Sequence, residues 1–200
     1  MDYCRGYAVK IIELKNKQLV SCSYDYNNSI IIFSKENNEY KMDYAIGTGY
    51  ACCSVIQTKT NEICYSYIDR TFKFNICFYD LLQRKKIKTI FNITGTKLFM
   101  IKEDLLLVGE DIISMIDINT HNQIRSIDFY GGYITIICKI NENMILIGHG
   151  SSIAQFKIEG NNLILLSDKK KDHYNGVWSL LNLPNNHFAS GYQNGIIKIW

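Results

Sequence analysis

The sequence predicts an all-β protein built from repeated units, and three observations carry that prediction. Short apolar runs follow one another along the whole chain and are separated by polar turns. These runs alternate apolar with polar residues or are rich in β-branched and aromatic residues, as strands are, and none keeps a helical 3.6-residue period. The single proline, Pro184, lies in the turn LPNNH, where a strand ladder loses no hydrogen bond.

The third observation is a repeat of about forty residues. In each unit an alternating strand is followed by an apolar strand that ends on a small residue. Those small residues are Cys22, Ser66, Gly109, Gly148 and Gly191, at spacings of 44, 43, 39 and 43 residues. A period this regular over the whole chain indicates five copies of one plan.

The predicted strands follow the same order in every unit. The units span about 7–46, 47–92, 93–130, 131–168 and 173–200. The first reads YAVKIIEL, LVSCS, SIIIF and EYKMDYAIG; the second YACCSVIQ, EICYSY, NICFYDL and KKIKTIFN; the third KLFMIK, LLLVGE, IISMIDI and QIRSIDF; the fourth YITIICKI, MILIGH, SIAQFKI and NLILLSD; the fifth VWSLLNL, HFASGY and IIKIW. The fifth unit lacks a fourth strand. Four short strands per unit of this length favour a β-propeller over a sandwich or a barrel.

Composition and charge exclude few functional classes. Lys and Arg number 22 and Asp and Glu 19, and the net charge of +3 is too small to indicate a nucleic-acid or membrane partner. No basic start followed by an apolar run marks a signal peptide, and no apolar stretch reaches the roughly 20 residues of a membrane helix. The seven cysteines lack metal-ligand spacing, so we expect buried reduced thiols in a cytoplasmic or nuclear protein.

The last unit, HYNGVWSLLNLPNNHFASGYQNGIIKIW, resembles a WD-repeat blade. The family has a His before the first strand, a Ser or Thr in the second, an Asp in the next turn and a Trp at the end of the third. The matching residues are His173, Ser190, Asn194 and Trp200, with Asn in place of the family's Asp. The first unit matches weakly through Ser21, Asp25 and Phe33, and the middle three keep only the pattern and the period.

The resemblance implies that these four residues form a hydrogen-bonded tetrad that stabilises the blade, which is a structural role and not a catalytic one. We expect replacement of His173 or Trp200 by Ala to lower the free energy of unfolding by roughly 2–4 kcal/mol.

Ring closure is expected to be difficult within this chain. Propellers of the WD type usually have about seven blades, and one terminus completes the blade that the other begins. Here only MDYCRG precedes the first predicted strand. Three interpretations stay open: a piece of a longer protein, an open arc completed by a partner or a second copy through strand 196–200, or a tight five-bladed ring.

The resemblance places protein-binding loops on one rim, where the chain enters each first strand and turns after each second strand. Tyrosine is frequent there, and tyrosine is enriched at interfaces. The candidate binding residues are Tyr7, Tyr24, Tyr50, Tyr67, Tyr133, His149 and Tyr192. The alternative is that several of them fill space between blades.

Two basic runs, QRKKIK and DKKKDH, could instead bind phosphoinositide or nucleic acid. The first supplies the candidate basic edge Arg84, Lys85, Lys86 and Lys88. Lysine on an exposed edge also prevents edge pairing, and no aromatic residue interleaves with either run, so nucleic acid is disfavoured.

Motifs of catalysis are missing from the sequence. IGTGYACCS has no Lys-Ser or Lys-Thr after its glycines, and neither G-x-S-x-G nor H-E-x-x-H occurs. No cofactor or metal is expected. The sequence thus predicts a non-catalytic scaffold that binds other proteins; the alternatives are a lipid- or nucleic-acid-binding propeller and a repeat module of a larger multidomain protein.

Overall fold

A computed structural model of the chain describes residues 7–25, 29–93, 95–128, 132–169, 175–185 and 187–200. The described residues form 19 β-strands in five antiparallel sheets and contain no helix. The first two sheets consist of β1 (Ala8–Glu13), β2 (Leu19–Ser23), β3 (Ile30–Glu36) and β4 (Glu39–Ile46), then β5 (Ala51–Lys59), β6 (Glu62–Ile68), β7 (Phe74–Asp80) and β8 (Lys85–Ile90).

The next two sheets also have four strands each, and the last has three. They consist of β9 (Lys97–Lys102), β10 (Leu105–Gly109), β11 (Ile112–Asp117) and β12 (Asn122–Asp128), then β13 (Ile134–Asn141), β14 (Met144–His149), β15 (Ser152–Glu159) and β16 (Asn162–Lys169), then β17 (Val177–Asn182), β18 (Phe188–Tyr192) and β19 (Ile197–Ile199). We call these sheets blades 1 to 5 in chain order. In every blade the strands pair in sequence order.

The five blades form a β-propeller, which confirms the predicted fold class. The first strands of successive blades lie beside one another, from β1 through β5, β9 and β13 to β17. These inner strands surround a central channel, and the fourth strands form the outer edge. The propeller follows from the sequence because each strand alternates its side chains between the two faces of its sheet, and both faces must be covered.

Four apolar clusters fill the spaces between neighbouring blades. Val20 and Ile32 of blade 1 pack with Val55 and Ile63 of blade 2. The other three clusters join blades 2 and 3 through Phe78 and Leu106, blades 3 and 4 through Leu107 and Phe156, and blades 4 and 5 through Leu146 and Val177. Each blade is therefore stabilised by its neighbours and not by a core of its own.

Two of the small residues that reveal the repeat, Gly148 and Gly109, lie against the neighbouring blade. A Cβ atom on Gly148 would come within 2.7 Å of Ile136 Cγ2 and 2.9 Å of Val177 Cγ1, and Val177 belongs to the next blade. A Cβ on Gly109 would likewise lie 2.9 Å from Ile134 Cδ1 of blade 4. Close packing of the inner strands thus explains why these positions are small.

Four of the five inner strands carry a β-bulge at the same place. The register skips one residue near the start of the strand: Val9 in β1, Cys53 in β5, Thr135 in β13 and Trp178 in β17. In β9 the pairing is continuous over the corresponding residues. A bulge takes one side chain out of the alternation and turns it in a new direction.

The two terminal blades have exposed outward faces. Ile11 of blade 1 and Leu181, Ile197 and Ile199 of blade 5 are exposed, on the sides opposite their neighbouring blades. Within the described part of the chain, no helix is long and apolar enough to span a membrane.

Candidate functional site

The loops on one rim are held together by backbone hydrogen bonds. The amide of Tyr24, after β2, donates to the carbonyl of Tyr7, before β1, at 3.2 Å. The same link recurs in blade 4, from Gly150 to the Tyr133 carbonyl at 3.3 Å, and in blade 5, from Gln193 to the Gly176 carbonyl at 2.9 Å. The approach to each first strand and the turn after the second therefore form one surface, which we call the rim.

The structure divides the seven candidate rim residues into two groups. The side chains of Tyr7, Tyr24 and Tyr133 are exposed by 87%, 45% and 66%, and are accessible to a partner. The other four fill space. Tyr67 and Tyr192 are buried, Tyr50 stacks on Tyr67 with ring centroids 5.4 Å apart, and His149 is buried with Nε2 3.1 Å from Asp168 Oδ1.

A cleft opens on the rim between blades 1 and 2. Its volume is about 350 Å³, and its walls are Tyr24, Ala51, Ile68, Asp69, Arg70 and Phe72. Phe72 is 86% exposed and Arg70 is also exposed. The cleft thus presents two aromatic rings and one cation to solvent, and tyrosine, phenylalanine and arginine are enriched at protein–protein interfaces.

The turn between β6 and β7 holds Phe72 in place. Asp69 Oδ1 accepts hydrogen bonds from the Thr71 amide at 2.8 Å, the Thr71 hydroxyl at 2.6 Å and the Lys73 amide at 3.1 Å. Asp69 Oδ2 accepts from Asn75 Nδ2 at 3.1 Å. These bonds, led by that of the Thr71 hydroxyl, lower the pKa of Asp69 to about 2. The carboxylate therefore stays ionised and keeps the turn ordered at neutral pH.

Phe72 itself adopts a backbone conformation that large residues avoid. Its φ is +59°, in the left-handed region, and its amide donates to the Asp69 carbonyl at 3.0 Å. A bulky residue held there costs on the order of 1–3 kcal/mol, and such strain is concentrated at functional positions. Exposure and strain together single out Phe72 on this rim.

A second cavity, of about 220 Å³, lies at the mouth of the central channel. It is lined by the early residues of four inner strands: Val9 and Lys10 of β1, Cys53 and Ser54 of β5, Lys97, Leu98 and Phe99 of β9, and Thr135, Ile136 and Ile137 of β13. Three of these, Val9, Cys53 and Thr135, are the bulged residues of their strands. The bulges thus place side chains in the channel that regular alternation would not.

The proposed tetrad of blade 5 is described in part. Trp200 Nε1 donates to the buried Ser190 Oγ at 2.8 Å, and the Trp200 ring stacks on Phe188 with centroids 5.6 Å apart. Asn194 Oδ1 accepts from the Ile196 amide at 3.2 Å, which orders the turn. His173 lies outside the described residues.

The candidate basic edge is largely engaged within the protein. Arg84 forms an ion pair with Asp43 of blade 1 at 3.3 Å, and its guanidinium lies 4.1 Å from the centroid of the Tyr44 ring. Lys88 Nζ donates to Asn122 Oδ1 of blade 3 at 2.5 Å. Only Lys85 and Lys86 of the four stay exposed without a described partner. The edge joins three blades, and two free lysines are a weak site for a polyanion.

The cysteines that the structure describes are all free thiols. Five of the six, Cys22, Cys52, Cys53, Cys64 and Cys77, are buried, and Cys138 is half-buried. Burial raises the pKa of Cys53 to about 11. Over the described ranges, no group of three or more His, Cys, Asp and Glu side chains is arranged to hold a metal ion.

Sequence reasoning identified Tyr24 and the turn after β6, but it missed Asp69, Arg70 and Phe72, because it considered only the residue that opens each turn. The stretch IDRTFKF contains a signal: an Asp followed by Thr two residues later forms a turn of this kind. The left-handed φ of Phe72 has no such signal, since aromatic residues rarely adopt it.

Comparison with known proteins shows the fold alone. No family model matches the chain, and no curated protein matches it significantly. Many solved structures match, including the crystal structure of the computationally designed Ika8 protein. That match has a TM-score of 0.77 and 18% sequence identity, and covers 100% of this chain and 59% of Ika8. The chain thus spans about three fifths of the length of the Ika8 chain.

Proposed function

We propose that this propeller is a non-catalytic scaffold that binds a protein partner through the rim cleft of Tyr24, Arg70 and Phe72. The observation that carries the proposal is Phe72, a fully presented aromatic side chain in a strained backbone conformation that an aspartate turn maintains. A cleft of about 350 Å³ suits one or two anchoring side chains of a partner better than a large cofactor.

The surrounding rim extends the proposed interface. Tyr7 is exposed, and its carbonyl accepts a hydrogen bond from the Tyr24 amide; Tyr133 is exposed at the start of blade 4. Exposed tyrosines contribute a large contact area with little loss of side-chain entropy. We propose that Tyr24 and Phe72 form the anchor and that the other tyrosines contribute the periphery.

We further propose that the blades are of the WD type. The Trp200–Ser190 hydrogen bond at 2.8 Å and the Asn194 turn support this assignment. The proposed function does not depend on it, because the rim cleft lies in blades 1 and 2.

Two variants test the proposed function. Phe72→Gly removes the ring and suits the positive φ, so it should abolish partner binding while the melting temperature stays equal or rises. Tyr24→Ala removes the opposite wall and should weaken binding at least about tenfold, the loss of one hot-spot residue. The measurement is quantitative affinity purification from the protein's own cells, with the melting temperature of each variant.

Tyr40→Ala is the matched control for Tyr24→Ala. Tyr40 is exposed to nearly the same extent as Tyr24, but it lies on the outer strand β4, outside the cleft. Proteins that the wild type and the Tyr40 variant retain, and that both cleft variants lose, identify the partner. If the cleft variants retain the same proteins as the wild type, the cleft is not the binding site.

A further inference from the structure

The mouth of the central channel contains two lysines in one small cavity. Lys10 of β1 and Lys97 of β9 both line it, and they come from blades 1 and 3, with blade 2 between them. Neither ammonium group has a hydrogen bond or an ion pair with any described residue. The cavity therefore collects positive charge that the protein itself does not pair.

Partial burial makes the positive charge of Lys10 costly, whereas Lys97 is exposed. Lys10 is half-buried, and this burial lowers the pKa of its ammonium group. The Cys22 thiol raises that pKa, and the nearby Lys97 cation lowers it further. Like charges in a partly desolvated site repel one another more strongly than in water. An anion placed between the two ammonium groups would remove that repulsion and satisfy their donors.

The other polar groups at the mouth do not supply this anion. Thr135 Oγ1 donates its proton to carbonyls of Gly148 and Val177. Glu110 is close enough to Lys97 for the cation to oppose the rise in its pKa, yet the two form no ion pair, and burial raises the pKa of Glu110. Its Oε2 is buried without a hydrogen bond. Glu110 thus acts as a competing negative charge and not as a counter-ion in contact.

The remaining walls are apolar and indicate the rest of the ligand. Val9, Leu98, Phe99 and Ile136 lie in the same cavity as the lysines. The volume of about 220 Å³ is below the roughly 300 Å³ at which small-molecule sites begin, so the cavity suits one side chain or one chain end. A bare inorganic anion would leave the apolar wall facing water.

We propose that the channel mouth binds a carboxylate joined to an apolar group, with Lys10 and Lys97 holding the carboxylate and Val9, Phe99 and Ile136 holding the apolar part. Either a peptide ending in an apolar residue or a free amphipathic acid presents this chemistry. The site shares no residue with the rim cleft, so either proposal can fail without the other.

The test follows the lysine side chains by NMR in protein labelled with ¹³C-lysine. N-acetyl-leucine is titrated to about 20 mM, because a ligand of this size binds with millimolar affinity. We expect saturable shifts of the Lys10 and Lys97 Cε signals and none with N-acetyl-leucinamide, which lacks the carboxylate. Inorganic phosphate at the same concentration should give much weaker shifts, because it lacks the apolar group.

Three variants sharpen the result. Lys97→Gln should weaken binding at least about fivefold by removing one cation, and Glu110→Gln should tighten it about twofold by removing the competing charge. Lys157→Gln is the control, because Lys157 pairs with Glu159 away from the cavity. Shifts that are equal for the acid, the amide and phosphate, or that Lys97→Gln leaves unchanged, would overturn the proposal.

A final pair of probes identifies the source of the carboxylate. N-acetyl-Ala-Ala-Leu with a free carboxyl end and 4-methylpentanoate carry the same apolar group. Tighter binding of the peptide assigns the site to a chain end, and tighter binding of the small acid assigns it to a free amphipathic acid. Failure of both probes to shift the lysine signals also contradicts the proposal.

Discussion

Trp200 illustrates how much one side chain can contribute to a terminal blade. It donates to the buried Ser190 hydroxyl and stacks on Phe188, and the Lys169 ammonium lies 5.4 Å from its ring centroid. The side chain thus combines an apolar stacking contact with a hydrogen-bond donor. The two contributions can be separated by substitution.

We expect Trp200→Phe to lower the free energy of unfolding by about 1–3 kcal/mol, since it leaves Ser190 unpaired and keeps the stacking, and Trp200→Ala by about 2–4 kcal/mol. Trp178→Phe is the control; Trp178 is exposed, so a change within about 0.5 kcal/mol is expected. Chemical denaturation measures all three. A Trp200→Phe/Ser190→Ala double-mutant cycle with no coupling energy would show that the hydrogen bond contributes nothing.

For individual residues, the sequence predicted the place in the fold better than the burial or the partners of the side chain. It placed Tyr24 on the rim, but it equally placed Tyr67 and Tyr192, which are buried. It grouped Arg84 and Lys88 in a candidate basic edge but did not reveal their partners Asp43 and Asn122, which lie 41 and 34 residues away in sequence. Partners that distant are set by the packing of blades, and no local pattern encodes them.

At the scale of elements, a small residue at the end of a second strand determines how closely the next blade can pack. Gly148 allows Val177 of blade 5 to pack on blade 4. Because the crowding atoms are branch methyl groups next to the backbone, they cannot move aside as the end of a long side chain could. The requirement is for space and not for flexibility, since Gly148 has no positive φ.

We expect Gly148→Ala to lower the free energy of unfolding by about 1–3 kcal/mol through overpacking between blades 4 and 5. Gly176→Ala is the matched control. A Cβ on Gly176 would meet no atom closer than 3.4 Å, so stability should change little. Thermal unfolding distinguishes the two, and equal melting temperatures for both variants would contradict the proposed role of the contact.

Strand order and approximate limits were predictable because alternation and spacing are local properties. The predicted runs KLFMIK and IISMIDI correspond to β9 and β11. The bulges at Val9, Cys53 and Thr135 were not predictable, because an extra residue in one strand is visible only from its pairing with the next.

For the whole molecule, stability is a sum of contacts between successive blades. Blades 2, 3 and 4 each pack on two neighbours, whereas blade 5 has three strands and packs on blade 4 through Val177, Leu180 and Tyr192. In such an array the ends open most easily.

We therefore expect amide hydrogens of β18 and β19 to exchange at least about tenfold faster than those of β6 and β10, through local opening of blade 5. Hydrogen exchange read by mass spectrometry, with peptides from each blade, measures this. Uniform protection across all five blades would instead indicate one cooperative unit.

At two of the bulges, Val9 and Trp178, the side chain is turned away from the face that packs against the neighbouring blade. Val9 and Trp178 are exposed and belong to none of the interblade clusters, so changing them should leave those clusters intact. Point substitutions at these two positions can change the exposed surface at little cost in stability. The defect in the strand is thus where this architecture is most free to evolve.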